Sequence, residues 1–151
     1  MTNNDILRRI RYSFDFDDST MMKIFTYAGY PTTRAEISDW LKKEDDEAFV
    51  KLNDRLLATF LNGLIIKKRG KKDGAIPVAE ARLNNNMIFM KLKIALNLKA
   101  EDVLELLALA DFKLSKHELS AFFRKPGHKH YRECKDQVMR HFLRGMQLKY
   151  R

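Results

Sequence analysis

Four side chains that could bind a transition metal lie close together in the second half of the sequence. They are His128, His130, Cys134 and His141. Neutral imidazole and thiolate are good ligands for zinc and related ions. Their spacing fits no standard metal-binding signature, so we expect neither a metal site nor a cofactor here.

Two charged stretches are the other residues whose type and spacing suggest binding. The first is an acidic run of four residues, Glu44, Asp45, Asp46 and Glu47. It lacks the alternating ligands and the glycine of a calcium-binding loop. A basic run lies further along the chain and comprises Arg124, Lys125, His128, Lys129, His130 and Arg132, followed by Arg140 and Arg144. Side chains of this charge suit an acidic partner.

Catalytic motifs are absent from the sequence. It contains no Gly-x-Ser-x-Gly nucleophile turn, no glycine-rich phosphate loop and no His-Glu-x-x-His pair. Catalysis requires several groups with adjusted pKa values in one cleft, and the sequence offers no such set. It therefore favours a role other than that of an enzyme.

The elements that must position these residues occur twice. When the sequence is shifted by 82 residues, 11 of the 62 residues from 3 to 64 are identical to their counterparts, without a gap. Asn3 falls on Asn85, for example, and Gly63 falls on Gly145. A match at one fixed period over this length indicates a duplicated structural unit.

The duplication helps to interpret the candidate sites. Cys134 aligns with Leu52 and His141 with Thr59, which favours a buried structural cysteine over a metal ligand. The acidic run aligns with part of the basic run, so equivalent loops carry opposite charge. Three alternatives follow: the loops bind separate partners, they meet within one chain or between chains as complementary patches, or both are simply solvated.

Each repeat contains four segments with the apolar spacing of amphipathic helices. The third segment begins with a capping box in both copies, formed by Thr33 and Glu36 and by Ser115 and Glu118. Asparagine accepts hydrogen bonds from free N–H groups at helix starts. We therefore predict that the asparagine runs cap the first helix of each repeat.

Gly63 and Gly145 lie inside the fourth segment of their repeats. Glycine in a helix costs about 1 kcal/mol relative to alanine. We infer that another backbone approaches each glycine closely, and the fourth helix of the other repeat is the candidate.

These patterns predict an all-α protein with two homologous four-helix modules packed about a pseudo-twofold axis. Residues 1–66 are the first repeat, 67–83 a basic linker and 84–151 the second repeat, with net charges of −2, +4 and +7. A module of about 65 residues buries only about 60% of its surface and is marginally stable alone, so we expect the two modules to pack together.

The composition excludes several other classes. Apolar residues make up 45% of the 151 residues, so a core can form and extensive disorder is not expected. No run approaches the roughly 20 apolar residues of a membrane span, and the first residues do not resemble a signal peptide. A single cysteine suits a reducing compartment. We expect a cytoplasmic protein without membrane contact.

Nucleic acid is the alternative to a protein partner. The basic second repeat supplies phosphate-binding side chains, and the second and third segments with their short connection are typical of a helix-turn-helix. Glu36 and Asp39 on the third segment would repel phosphate, however, and the first repeat is acidic overall. The sequence therefore favours protein–protein contacts over nucleic-acid binding.

Several motifs resemble the YehS-like family of bacterial proteins. In the first repeat they are Asn-Asn-Asp-Ile-Leu-Arg at 3–8, Trp40-Leu41-x-Lys43-Glu44-Asp45, and 60–65 with 68–70. In the second repeat they are 84–86, His128-Lys129-x-Tyr131-Arg132-Glu133-Cys134-x-Asp136-Gln137, and 142–145. The resemblance covers nearly the whole chain. It implies a bacterial cytoplasmic protein with two copies of a domain of unknown function, and no reaction, cofactor or catalytic residue.

We therefore expect a non-enzymatic binding or regulatory protein. It would act through protein–protein contacts at the charged loops and at the groove between the modules. Nucleic-acid binding is the second hypothesis. A small-molecule pocket between the modules, lined by methionine and aromatic side chains, is the third.

Overall fold

The computed structural model describes residues 1–71 and 75–151, and these residues form eight α-helices. The first repeat contributes α1 (Asn3–Phe14), α2 (Asp18–Tyr27), α3 (Arg34–Leu41) and α4 (Asp54–Arg69). The second repeat contributes α5 (Asn85–Ala95), α6 (Ala100–Leu109), α7 (Lys116–Phe122) and α8 (Asp136–Tyr150). No β-strand occurs in the described ranges, and the prediction of an all-α protein with two homologous modules is confirmed.

The connection between the repeats begins after the end of α4. α4 continues to Arg69, and Gly70 follows it with a positive φ of 83°, a conformation that glycine adopts without strain. The rest of the predicted linker has no regular secondary structure where it is described. Residues 72–74 of that linker lie outside the described residues.

Local hydrogen bonds fix the start of the third helix in each repeat. The Glu36 amide donates to Thr33 Oγ1 at 3.1 Å, and the Thr33 amide donates to Glu36 Oε1 at 3.2 Å. Ser115 and Glu118 form the same pair of bonds, both at 3.0 Å. Both predicted capping boxes are therefore present, and each satisfies two N–H groups that the helix itself leaves unpaired.

The prediction for the asparagine runs is wrong in part. Thr2 caps α1, whereas Asn84 caps α5 by accepting a hydrogen bond from the Met87 amide at 2.9 Å. The other asparagines lie inside the first turns, where their side chains reach loops instead of the helix end: Asn3, Asn4, Asn85 and Asn86. Residue type suggested a cap, but tertiary contacts determine where these side chains bind.

Helices α1, α4, α5 and α8 form the centre of the molecule. α1 packs against α8 and α4 packs against α5, so the first helix of each repeat contacts the last helix of the other. α2 packs on α4 and α6 packs on α8, while α3 and α7 pack on α2 and α6. This reciprocal exchange is the pattern that a pseudo-twofold axis between the repeats produces.

The two repeats meet along two seams, one between α1 and α8 and one between α4 and α5. Equivalent hydrogen bonds cross both seams. Arg69 Nη1 at the end of α4 donates to the Ile94 carbonyl in α5 at 3.3 Å. Arg151 Nη1, which follows α8, donates to the Tyr12 carbonyl in α1 at 2.8 Å. These residues occupy equivalent positions in the two repeats. The seams therefore share backbone geometry as well as helix order.

One hydrophobic cluster runs through both repeats. Within the first repeat the rings of Phe25 and Phe60 lie 5.3 Å apart and join α2 to α4. Between the repeats the rings of Phe14 and Tyr150 lie 5.1 Å apart and join α1 to α8.

Within the described residues, no helix combines the length and apolar character needed to cross a membrane.

Gly63 and Gly145 confirm a close backbone approach, but the approaching helix is not the predicted one. A Cβ at Gly63 would overlap the carbonyl of Ile24 in α2, and one at Gly145 would overlap the carbonyl of Leu106 in α6. The contact thus lies within each repeat and not between the two fourth helices. The fourth helices instead face the first helices of the opposite repeat across the seams.

Gly63→Ala and Gly145→Ala should each lower the free energy of unfolding by about 3 kcal/mol, as measured by urea denaturation. The added methyl group meets a backbone carbonyl, which cannot move aside as a flexible side chain can. Gly127→Ala is the control, because no heavy atom lies within 4 Å of its Cβ position. Equal stability of all three variants would show that α2 and α6 do not need the glycines.

Candidate functional site

Each seam between the repeats opens into a groove at the surface. The charged groove lies between α1 and α8 beside the α3–α4 loop and has a volume of about 950 Å³. It is lined by Met1, Asp5, Arg8, Arg9, Tyr12, Lys43, Glu44, Asp45, Arg140, Arg144 and Gln147. The apolar groove lies between α4 and α5 beside the α7–α8 loop and has a volume of about 440 Å³. It is lined by Asn62, Ile65, Pro77, Glu80, Asn84, Asn86, Met87, Met90, Lys91, Ile94, Phe122, Phe123, Arg124, Pro126 and Tyr131.

The two grooves occupy equivalent places but differ in chemistry. Arg8 in the charged groove stands where the apolar groove has Met90, and Arg144 stands where it has Asn62. Arg8 pairs with Asp5 and also donates to the Lys42 carbonyl at 2.7 Å. The duplicated backbone thus presents ionic groups at one seam and methionine and aromatic side chains at the other.

The structure brings four of the predicted site residues together. Glu44 and Asp45 of the acidic run line the same groove as Arg140 and Arg144 of α8. Opposite charges from different repeats meet there because α8 lies beside α1, which belongs to the repeat that carries the acidic loop. The groove can therefore bind charged groups of either sign at separate points along its length.

The other predicted residues do not join this cluster. Arg124 lines the apolar groove. The remaining side chains are exposed on the two loops and line neither groove: Asp46, Glu47, Lys125, His128, Lys129, His130 and Arg132. Among the residues that the structure describes, no ion pair joins the acidic loop to the basic loop.

The histidines and the cysteine have separate surroundings. His128 and His130 lie with ring centroids 5.5 Å apart on the exposed loop, whereas the His141 ring stacks on Phe112 at 4.6 Å. Cys134 is buried, as its alignment with Leu52 predicts, and burial raises the pKa of its thiol to about 12. In the described part of the chain, no three His, Cys, Asp or Glu side chains are placed to hold a metal ion.

A buried asparagine that the sequence analysis missed holds the acidic loop. Asn4 Nδ2 donates to the carbonyl oxygens of Trp40 at 3.0 Å and Val50 at 2.9 Å. Its Oδ1 accepts a hydrogen bond from the Leu52 amide at 3.0 Å. These three partners lie at the two ends of the loop, so one side chain closes it.

Asn86 holds the basic loop in the same way. Its Nδ2 donates to the carbonyl oxygens of Phe122 at 3.0 Å and Arg132 at 2.8 Å, and its Oδ1 accepts from the Cys134 amide at 2.9 Å. The sequence did contain a signal, because an asparagine occurs at this point in both repeats on the same helix face as core residues. A polar residue kept on an apolar face indicates a buried hydrogen-bonding role.

The neighbouring asparagines bind the first residue of each fourth helix. Asn85 Nδ2 donates to Asp136 Oδ1 at 2.8 Å, and Asn3 Nδ2 donates to Asp54 Oδ1 at 2.7 Å. The hydrogen bond from Asn85, with another from the Met1 nitrogen, holds the pKa of Asp136 below its ordinary value. Each of these bonds ties the start of a first helix to the start of a fourth helix.

Most shifted pKa values belong to helix caps and surface ion pairs. Hydrogen bonds from Thr20 lower the pKa of Asp17, and those from Ser115 lower the pKa of Glu118. In the charged groove, burial raises the pKa of Asp5, but hydrogen bonds from Thr2 and the charge of Arg8 outweigh it and leave the pKa lowered. Across the described ranges, Asp5 is the one group with a shifted pKa that lines the charged groove.

A segment of the chain itself lines the apolar groove. Pro77 and Glu80 belong to the non-helical segment 75–84 that precedes α5. Glu80 Oε2 lies 3.1 Å from Lys91 Nζ, and Lys91 Nζ also donates to Asn62 Oδ1 at 2.6 Å. The Lys91 side chain is only 14% exposed, so this ion pair fixes the segment to the wall of the groove.

The fold defines an all-helical protein of two tandem repeats with one groove at each seam. The chain belongs to the family described as "Protein of unknown function (DUF1456)", whose model matches it at residues 3–70 and again at 85–151. It is 43% identical over 147 residues to "Uncharacterized protein YehS" of Escherichia coli (strain K12), which covers 97% of this chain and 94% of that relative. The resemblance to the YehS-like family is confirmed. No solved structure matches the chain.

Asn86→Ala and Asn4→Ala should each loosen one loop and lower the free energy of unfolding by about 3 kcal/mol, because a buried amide loses three hydrogen bonds. Hydrogen exchange read by mass spectrometry should accelerate at residues 123–134 in Asn86→Ala and at residues 41–52 in Asn4→Ala. Each variant is the control for the other. Acceleration of both loops in either variant would show that the asparagines act on global stability alone.

Proposed function

We propose that this protein is a non-enzymatic binding module that acts through protein–protein contacts and holds a segment of a partner protein in the charged groove. The supporting observation is the relation between the two grooves. In the apolar groove, Pro77 and Glu80 of the chain itself lie along the wall, and Lys91 binds Glu80. In the charged groove, Arg9 stands at the position of Lys91 and forms no ion pair within the described residues.

The charges of that groove suit a protein segment better than a uniform polyanion. Arg9, Arg140 and Arg144 attract acidic groups, while Glu44 and Asp45 on the same groove repel them. A peptide can offer both signs of charge and apolar side chains in a defined order. A phosphate backbone offers one sign only, so Glu44 and Asp45 would oppose it.

A photo-crosslinker placed in the charged groove should capture a partner protein. We would replace Tyr12, which lines the groove and is 45% exposed, with p-benzoylphenylalanine and illuminate living cells. Discrete protein adducts are expected, detected by a shift on denaturing gels and identified by mass spectrometry. The same replacement at Tyr27, which is 40% exposed and lines neither groove, should give none.

The charge of the groove provides the second control for this experiment. Arg144→Glu should abolish the adduct at position 12, whereas Arg132→Glu on the exposed loop should leave it unchanged. No adduct at position 12, or equal adducts at positions 12 and 27, would overturn the proposal.

Nucleic-acid binding is a second candidate, favoured by the exposed basic loop. Its cations form no ion pair within the described ranges: Arg124, Lys125, Lys129 and Arg132. The helix-turn-helix-like segments give it less support. Lys116 at the start of α7 pairs with Glu101 at 2.8 Å, and Glu36 places a carboxylate on α3. We therefore rank this function second.

Fluorescence anisotropy with random duplex and single-stranded DNA distinguishes the two candidates. The proposed protein-binding role predicts no saturable binding at low salt. A nucleic-acid role predicts binding that weakens steeply with salt, and the double variant Lys125→Glu, Lys129→Glu should then reduce the salt slope by about two. That second outcome would favour the nucleic-acid function over our proposal.

A further inference from the structure

In the apolar groove a non-helical segment of the chain lies along the wall, and this arrangement is the pattern from which we argue what the charged groove binds. We infer that the charged groove recognises an extended segment of another protein through an acidic side chain. Arg9 and Arg144 bind that side chain in the place where Lys91 binds Glu80. This inference rests on the proposed function and specifies the chemistry of the partner.

The interaction in the apolar groove sets the pattern. Lys91 is mostly buried, and a buried cation requires an anion close by. Glu80 supplies that anion from the non-helical segment 75–84, with its Oε2 atom 3.1 Å from Lys91 Nζ. Asn62 Oδ1 accepts a further hydrogen bond from the same ammonium group at 2.6 Å. One carboxylate thus anchors an extended segment across the seam.

The charged groove has a cation at the position of Lys91, but no carboxylate pairs with that cation within the described residues. The shift of 82 residues places Arg9 at the position of Lys91 and Arg144 at the position of Asn62. Both line the charged groove, and neither forms an ion pair within the described residues. A second cation, Arg144, therefore replaces the amide oxygen that accepts a hydrogen bond from Lys91.

Two nearby carboxylates have other partners, and the rim carboxylates Glu44 and Asp45 form no ion pair with Arg9 or Arg144 within the described residues. Arg8 pairs with Asp5, and Arg140 lies 4.0 Å from Asp136. Arg9 and Arg144 therefore offer two guanidinium groups to a carboxylate that comes from outside the described chain. Guanidinium binds carboxylate through two parallel hydrogen bonds, and this fixes orientation as well as charge.

The remaining walls indicate what surrounds the acidic residue. Tyr12, at the position of Ile94, gives the groove an apolar surface, and Glu44 and Asp45 on the rim repel further negative charge. The segment that best suits these walls has one acidic side chain among small apolar residues. The chain's own segment has that pattern, with Ile76, Pro77 and Val78 before Glu80.

The probe is therefore a fluorescein-labelled peptide that copies residues 75–84, titrated onto the full-length protein and followed by anisotropy. Saturable binding is expected. Arg9→Gln should weaken it about tenfold, the loss that follows removal of a charge-assisted hydrogen bond. Lys91→Gln, at the equivalent position of the other groove, should leave the affinity unchanged. Thermal unfolding of both variants confirms that they fold.

A change in the peptide completes the test. A peptide with Glu80→Gln should lose at least the same factor against the wild-type protein and a smaller factor against Arg9→Gln, where only Arg144 still faces the carboxylate; the difference between the two losses measures the direct interaction with Arg9. The inference is overturned if the parent peptide does not bind, if both protein variants weaken it equally, or if the Gln peptide binds as tightly as the parent.

Two further outcomes identify a different occupant or separate this inference from the proposed function. Self-association of the protein that Glu80→Gln in the chain abolishes would assign the groove to a second copy and overturn the assignment to another protein. Crosslinking at Tyr12 together with a negative peptide titration would leave the proposed function intact and reject only the acidic recognition.

Discussion

The structure depends on the fact that neither repeat alone covers its first and last helices completely. α1 and α4 lie against α8 and α5 of the other repeat, and one hydrophobic cluster continues through both. A unit of this size would expose too much apolar surface alone. Mutual covering by equivalent helices produces two seams of the same geometry, and a groove opens at each one.

The buried asparagines explain how equivalent loops came to carry opposite charge without a change of fold. Asn4 and Asn86 bind only backbone atoms of the loops. The loop side chains take no part in these hydrogen bonds, so Glu44 and Asp45 in one copy and Pro126 and a glycine in the other are compatible with one anchor. Surface charge could therefore diverge while each loop kept its position.

The sequence predicted those features that depend on local pattern. Helix spacing, the capping boxes at Thr33 and Ser115 and the burial of Cys134 follow from a few neighbouring residues or from the alignment of the repeats. The targets of Asn4 and the helix that approaches Gly63 depend on how distant elements pack, and the prediction for that glycine named the wrong helix. Arg144 and the acidic loop line one groove because α1 packs against α8, and no local sequence pattern specifies that packing.

Chain topology makes the two seams unequal even though their helices are equivalent. The connection between the repeats runs from α4 to α5, and these two helices form the apolar groove. The last part of this connection therefore lies beside the apolar groove, where Glu80 forms an ion pair with Lys91. The charged groove is formed by α1 and α8, which are not consecutive in the order of the described helices. The connection thus lies at one seam, while the other seam carries Arg8 and Arg9 in place of Met90 and Lys91, and this difference in side chains is the basis of the proposal that the charged groove holds a segment of a partner protein.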